Sequence, residues 1–174
     1  MTQFEEMCQA RMRCVQSWNE YRDRSYKNLM TLFQGFVTHC GIPSDCVWLA
    51  PLDKEIKAGT KYGTGAIHFD TNEGYWRLGF IVTLRENENT FPQSRILLEI
   101  DVREQAGKIL VKRGEGDKPR EIDILRNPKQ CGEFYDSIAD RVKRFYTISP
   151  DNLSDDTTVR RIGFAADESV TDVR

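Results

Sequence analysis

The residues of this 174-residue chain that could do chemistry gather in two places. The first is "FVTHCGIPSDCVW" (36–48), where His39, Cys40 and Cys46 fall within eight positions of a chain that has only two histidines and five cysteines. Imidazole and thiolate are zinc's preferred ligands, but a structural zinc takes about four of them, and cysteines that share one are usually two to four residues apart. Here five residues separate Cys40 from Cys46, and Cys8, Cys14, Cys131, His68 or Asp45 could each supply the missing ligand with nothing in the spacing to choose among them. His39 and Cys40 are also adjacent, which on a helix points them about 100° apart. The stretch reads more simply as a helix end: an imidazole at the negative pole, then Gly41 as a left-handed cap and Pro43 as a stop. No metal is expected, and a Cys–His nucleophilic pair has no local signature to support it.

The second place is "RILLEIDVRE", where Glu99, Asp101 and Arg103 alternate and so line one face of a strand at about 7 Å intervals. His68, Asp70, Arg77 and Arg85 on neighbouring segments can join them. Acidic pairs on a strand can hold Mg²⁺ for phosphodiester cleavage. Restriction-type nuclease cores, however, place an Asp on one strand and Glu-x-Lys on the next, whereas this chain has Glu-x-Asp-x-Arg. Glu99, Asp101, Arg103 and His68 are therefore the catalytic candidates of an alternative reading, a metal-dependent phosphodiesterase or nuclease-like enzyme. The plainer reading is a solvated sheet face with cross-strand ion pairs.

Arg77, Arg85, Lys112 and Arg113 are the candidate binding cations. Basic residues also cluster in "KILVKRGEGDKPR" and at Arg141, Lys143 and Arg144, but acids are interleaved and no aromatic stacking platform accompanies them. Nucleic acid or nucleotide is thus not the favoured partner. "KAGTKYGTG" (57–65) could cradle a phosphate with backbone amides but lacks the P-loop order, and no G-x-S-x-G, G-x-G-x-x-G or H-E-x-x-H occurs. No cofactor is expected.

The elements that must position these groups follow from periodicity. Thr2 and Glu5 form a T-x-x-E capping box. Apolar residues then recur in steps of three or four from Phe4 through Met7, Cys14, Trp18, Tyr21, Leu29, Leu32, Phe33 and Phe36 to Val37, which predicts an amphipathic helix over 4–40. Unbroken, it would run about 55 Å, longer than the roughly 40 Å width of a domain this size. Either it breaks near "YRDRSYKN" (21–28), the expected outcome, or it projects and buries its stripe against another chain. Residues 41–63 read as connection.

From Thr64 the period becomes two. "GAIHFD", "YWRLGFIVTLRE", "RILLEIDVRE", "KILVKR" and "REIDIL" predict four to five strands, and the short glycine-bearing turns between them make the sheet an antiparallel meander. Pro128 opens a C-terminal helix with Phe134, Ile138, Val142 and Phe145 on one stripe, packed on one sheet face.

The fold class is therefore α+β: one domain over 1–148 and a polar, acidic C-terminal tail over 149–174, either flexible or docking. Charged residues at 30%, hydrophobic residues at 39% and a net charge of −2 suit a folded, water-soluble domain with no global drive toward anionic partners. No apolar run approaches the roughly 18 residues that span a bilayer, and the acids in "MTQFEEMCQARMR" do not suit a signal peptide, so no membrane contact and a cytoplasmic location are expected. The expected function is a non-catalytic interaction or ligand-binding module, a dimer or a subunit or regulator of a larger assembly, that meets a protein partner or itself through the helix 4–40 region.

Overall fold

The computed structural model describes residues 2–57, 60–87, 89 and 94–147; the tail 149–174 lies outside them. Helix α1 (Gln3–His39) starts on the capping box, with the Glu5 amide donating to Thr2 Oγ1 at 3.3 Å and the Thr2 amide donating to Glu5 Oε2 at 2.6 Å. It ends where Gly41 takes φ +62°, so that the amides of Gly41 and Ile42 reach back to the carbonyls of Thr38 and Val37. Between these caps it is continuous. The break expected near 21–28 is absent: Arg22 pairs with Asp23 on the outer side, Arg24 bridges to Glu104 of the sheet, and Ser25 is fully buried.

Six strands follow among the described residues: β1 (Val47–Ala50), β2 (Ile67–Asp70), β3 (Tyr75–Leu84), β4 (Ser94–Gln105), β5 (Lys108–Lys112) and β6 (Arg120–Glu121), and then helix α2 (Pro128–Thr147). All pairings are antiparallel in the order β1-β3-β4-β5-β6, and β2 pairs with β3 beside β1. Two expectations are corrected. Val47–Ala50 is a strand rather than connection, seated on Gly79 of β3, where a Cβ would lie 2.5 Å from the Ala50 carbonyl oxygen. The strand expected over "REIDIL" is only Arg120–Glu121, after which Ile122 turns into the core.

One sheet face carries Trp76, Leu78, Phe80 and Val82 of β3 and Ile96, Leu98, Ile100 and Val102 of β4, all buried. The second half of α1 covers it with Leu29, Leu32 and Phe36, and Phe33 packs edge-on and Phe36 tilted against Phe80 with ring centroids 5.2 and 5.6 Å apart. Helix α2 closes the core with Cys131, Phe134, Tyr135 and Ile138. The helices meet where Gly35 faces Tyr135, so closely that a Cβ on residue 35 would lie 2.1 Å from the phenol oxygen. The first half of α1 is different. Every residue from Thr2 to Glu20 is exposed, and the helix meets the sheet at Trp18, so about 22 Å of it, Gln3–Ser17, stands clear of the domain.

Candidate functional site

The polar face of the sheet is built by register. His68, Arg77, Asp101 and Lys112 stand side by side on β2, β3, β4 and β5, and Glu99 is one step along β4 opposite Gly79. The β2–β3 turn adds Glu73, held back over the face because Asp70 caps the turn by accepting the Asn72 amide at 2.9 Å. Arg77 is the hub: its Nη2 lies 2.5 Å from Asp70 Oδ2 and 2.7 Å from Glu73 Oε2, and its Nη1 is 3.7 Å from Glu99 Oε1. Lys112 donates to Glu73 and lies 3.5 Å from Asp101 Oδ2. Tyr75 has the Lys112 ammonium and the Arg103 guanidinium within 4.7 and 4.8 Å of its ring centroid.

This face is not the solvated one expected from alternation. Asp101 is 0% exposed and Lys112 4%. Glu73 and its turn cover one side, and the loop after β5 covers the other. There Gly114, at φ +93°, presses so near Glu99 that a Cβ would sit 3.0 Å from Glu99 Oε2. No cation or backbone amide donates a hydrogen bond to either Asp101 oxygen among the described residues, the Glu99 carboxyl lies alongside, and the ion-pair contacts to Arg77 Nε and Lys112 Nζ are long, 3.8 and 3.5 Å. Burial, with Glu99 alongside, pushes the Asp101 carboxyl up to about 9, although Arg77 and Lys112 pull the other way. Burial lowers the Arg77 and Lys112 pKa values, but the surrounding carboxylates outweigh it and hold both above their usual values. The two directions disagree on Asp101's charge. The burial effect prevails, because neither cation hydrogen-bonds an Asp101 oxygen and a neutral Asp101 can donate to Glu99.

The structure thus brings together Glu99, Asp101, Arg103, His68, Arg77 and Lys112. It leaves Arg85 and Arg113 elsewhere: Arg85 pairs with Asp45 at 2.6 Å, and Arg113 grips Asp117 at 2.8 Å and donates to the Ser137 carbonyl of α2 at 2.9 Å. The Arg113 side chain holds the Asp117 carboxyl down at about 2. His39 turns to α2, with Nε2 2.7 Å from Asp136 Oδ1, while Cys40 is exposed and Cys46 buried. Among the described residues no group of three His, Cys, Asp or Glu side chains is placed to hold a metal ion, on the sheet face or at the helix end. Glu73 and Tyr75, which complete the cluster, carry no periodic signal that would have nominated them as site residues. Chemically, the cluster locks the β2–β3 turn to β4 and β5, and its central carboxyl is closed to any substrate.

The open surfaces lie elsewhere. On the free half of α1, Phe4, Met7, Met12, Val15 and Trp18 are exposed, Phe4 by 71% and Trp18 by 50%. Where this segment meets the domain, Trp18 packs edge-on against Phe69 at 5.5 Å, and Tyr21 tilts over Trp76 at 6.3 Å. A hollow of about 230 Å³ opens there, lined by Cys14, Ser17, Trp18 and Tyr21. A larger groove of about 480 Å³ lies between α1 and β1, with Phe33, Val37, Ile42, Trp48 and Tyr62 in its lining. Comparison with known proteins finds no matching family model, no similar curated protein and no similar solved structure. No helix among the described residues is long and apolar enough to cross a membrane.

Proposed function

We propose that this protein is a non-catalytic cytoplasmic interaction module that docks through the free half of α1, with the sheet domain as its anchor. It works as a dimer or as a subunit of a larger assembly. One observation carries this reading: fifteen helical residues, Gln3–Ser17, stand clear of the core with Phe4, Met7, Met12 and Val15 in solvent, and Trp18 beyond them is half exposed. In proteins most helical stability comes from packing an amphipathic face, and this stretch has no such packing within its own domain. Each buried Phe, Met or Trp is worth about 1.5–3 kcal/mol. Contiguous exposed apolar surface of this kind marks a contact site.

The sheet-face cluster supports the reading by default. Phosphodiester chemistry at Glu99 and Asp101 needs an open carboxylate pair, whereas Asp101 is enclosed and Arg77 and Lys112 lie against it. The apolar groove beside β1 favours, as a second reading, an additional small apolar ligand.

The test is the size of the protein in native lysate. The wild type should elute well above the chain's own mass, and Phe4→Glu/Met7→Glu should elute as a monomer with unchanged thermal unfolding. Both residues lie far from the domain, and acids in the first turns favour the helix, so the variant removes docking without removing structure. Monomeric elution of both proteins would overturn the reading.

A further inference from the structure

The interaction surface specifies its occupant. Phe4, Met7, Cys14, Trp18 and Tyr21, with Arg11 in the one gap, follow the strict three-four spacing of a heptad: Phe4, Arg11 and Trp18 at one seam position, Met7, Cys14 and Tyr21 at the other. A 3.5-residue repeat is the pattern of a helix that packs along another helix by knobs into holes. The hollow lined by Cys14, Ser17, Trp18 and Tyr21 has the i, i+3, i+4, i+7 spacing of one such hole.

Two features fix the direction of the helix that fills it. Past Tyr21 the same face of α1 is buried on its own sheet through Ser25, Leu29, Leu32 and Phe36. A parallel partner, running on in the same direction, would collide with that sheet, and it would set Arg11 against its own copy in the seam. An antiparallel partner sets Arg11 opposite Cys14 instead and reaches the sheet only with its first turn, where Trp18, half exposed, and Tyr21 touch Phe69 and Trp76 on one side.

We propose that the occupant is a second copy of this chain, the two free halves of α1 packed antiparallel. Phe4 lies opposite the partner's Tyr21, Met7 opposite the partner's Trp18 and Arg11 opposite the partner's Cys14. In this register each helix starts within about one turn of the point where the other meets its sheet, and the pair closes on a two-fold axis. Phe4, Met7, Cys14 and Trp18 with their flanking residues bring about 500 Å² from each copy, or about 1,000 Å² in all, the lower end of specific interfaces. The dimer is therefore one that dissociates on dilution.

This inference rests on docking through α1, and the experiment separates the two. Light scattering on the purified full chain should give twice the chain mass, falling toward one on dilution. Two variants, both carrying Cys8→Ser and Cys40→Ser, then report direction: one has Arg11→Cys with Cys14→Ser, the other keeps Arg11 and Cys14. Under mild oxidation with copper phenanthroline, each alone should stay uncrosslinked and the mixture should form a disulfide-linked dimer. A purified chain that is monomeric at every concentration overturns the second copy, even if the lysate complex persists. Crosslinking of each variant alone, without gain on mixing, overturns the antiparallel register.

Discussion

Asp101→Asn isolates the chemistry of the sheet-face cluster. Asp101 is fully buried, and its carboxyl is pushed up to about 9, above the usual value near 4, by burial first and by Glu99 second. Between those limits the folded chain keeps a proton that the unfolded chain releases. The group's contribution is therefore fully present below about pH 4 and is lost as pH rises toward 9, with a ceiling near 1.4 kcal/mol per pH unit. Arg77 and Lys112, 3.8 and 3.5 Å away, oppose that shift, and their pull is already contained in it. From about pH 5.5 to 8.5 the wild type should lose up to about 4 kcal/mol, measured by urea unfolding with linear extrapolation. Asparagine copies the protonated shape and offers donors to Glu99. Asp101→Asn should flatten the slope to within about 0.5 kcal/mol and leave stability at pH 5.5 nearly unchanged. The reasoning fails if the wild type is flat or gains stability over this range. It also fails if Asp101→Asn costs about 3 kcal/mol or more at every pH, the mark of an ionised carboxylate lost from between two cations.

Other substitutions test the packing and the acid limb. Gly35→Ala should cost about 1–3 kcal/mol by urea unfolding, because a Cβ there would lie 2.1 Å from Tyr135 Oη, and Tyr135→Phe should recover part of that loss in the double variant. Ala106 holds φ +51° in the β4–β5 turn, so Ala106→Gly should raise stability by about 0.5–1 kcal/mol, seen as a higher urea midpoint at unchanged slope. Asp117, held down at about 2 by Arg113, contributes stability above its usual pKa that is lost as pH falls through the lowered one. Asp117→Asn should therefore be less stable than wild type at neutral pH, with the difference closing at about pH 2 in an acid unfolding series.

The ends of α1 were legible because each cap has its own chemistry: the Thr2–Glu5 box at the start and Gly41 at the stop. The strands β2 to β5 were legible from the alternation of Ile67 with His68, or of Leu98 and Ile100 with Glu99 and Asp101. Polarity at 21–28 misled because it marks a solvent-facing side, whereas a break needs a residue that cannot stay helical, and none of these is Gly or Pro. Val47–Ala50 escaped notice because four residues ending at a proline are too short for a period to show. The sheet-face cluster was half legible. Alternation places Asp101 and Arg77 on one face, but which turn folds over that face is a tertiary fact, so neither Glu73's role nor the burial of Asp101 follows from spacing.

Hydrogen exchange at the backbone amides of residues 3–20 measures docking of the free helix most directly. The full chain and its Phe4→Glu/Met7→Glu variant are compared at matched concentration. Docking through the Phe4–Met7–Trp18 stripe predicts slow exchange over 3–20 in the wild type and loss of that protection in the variant, with residues 25–36, packed on the sheet, unchanged in both. Equal exchange over 3–20 in the two proteins would contradict it.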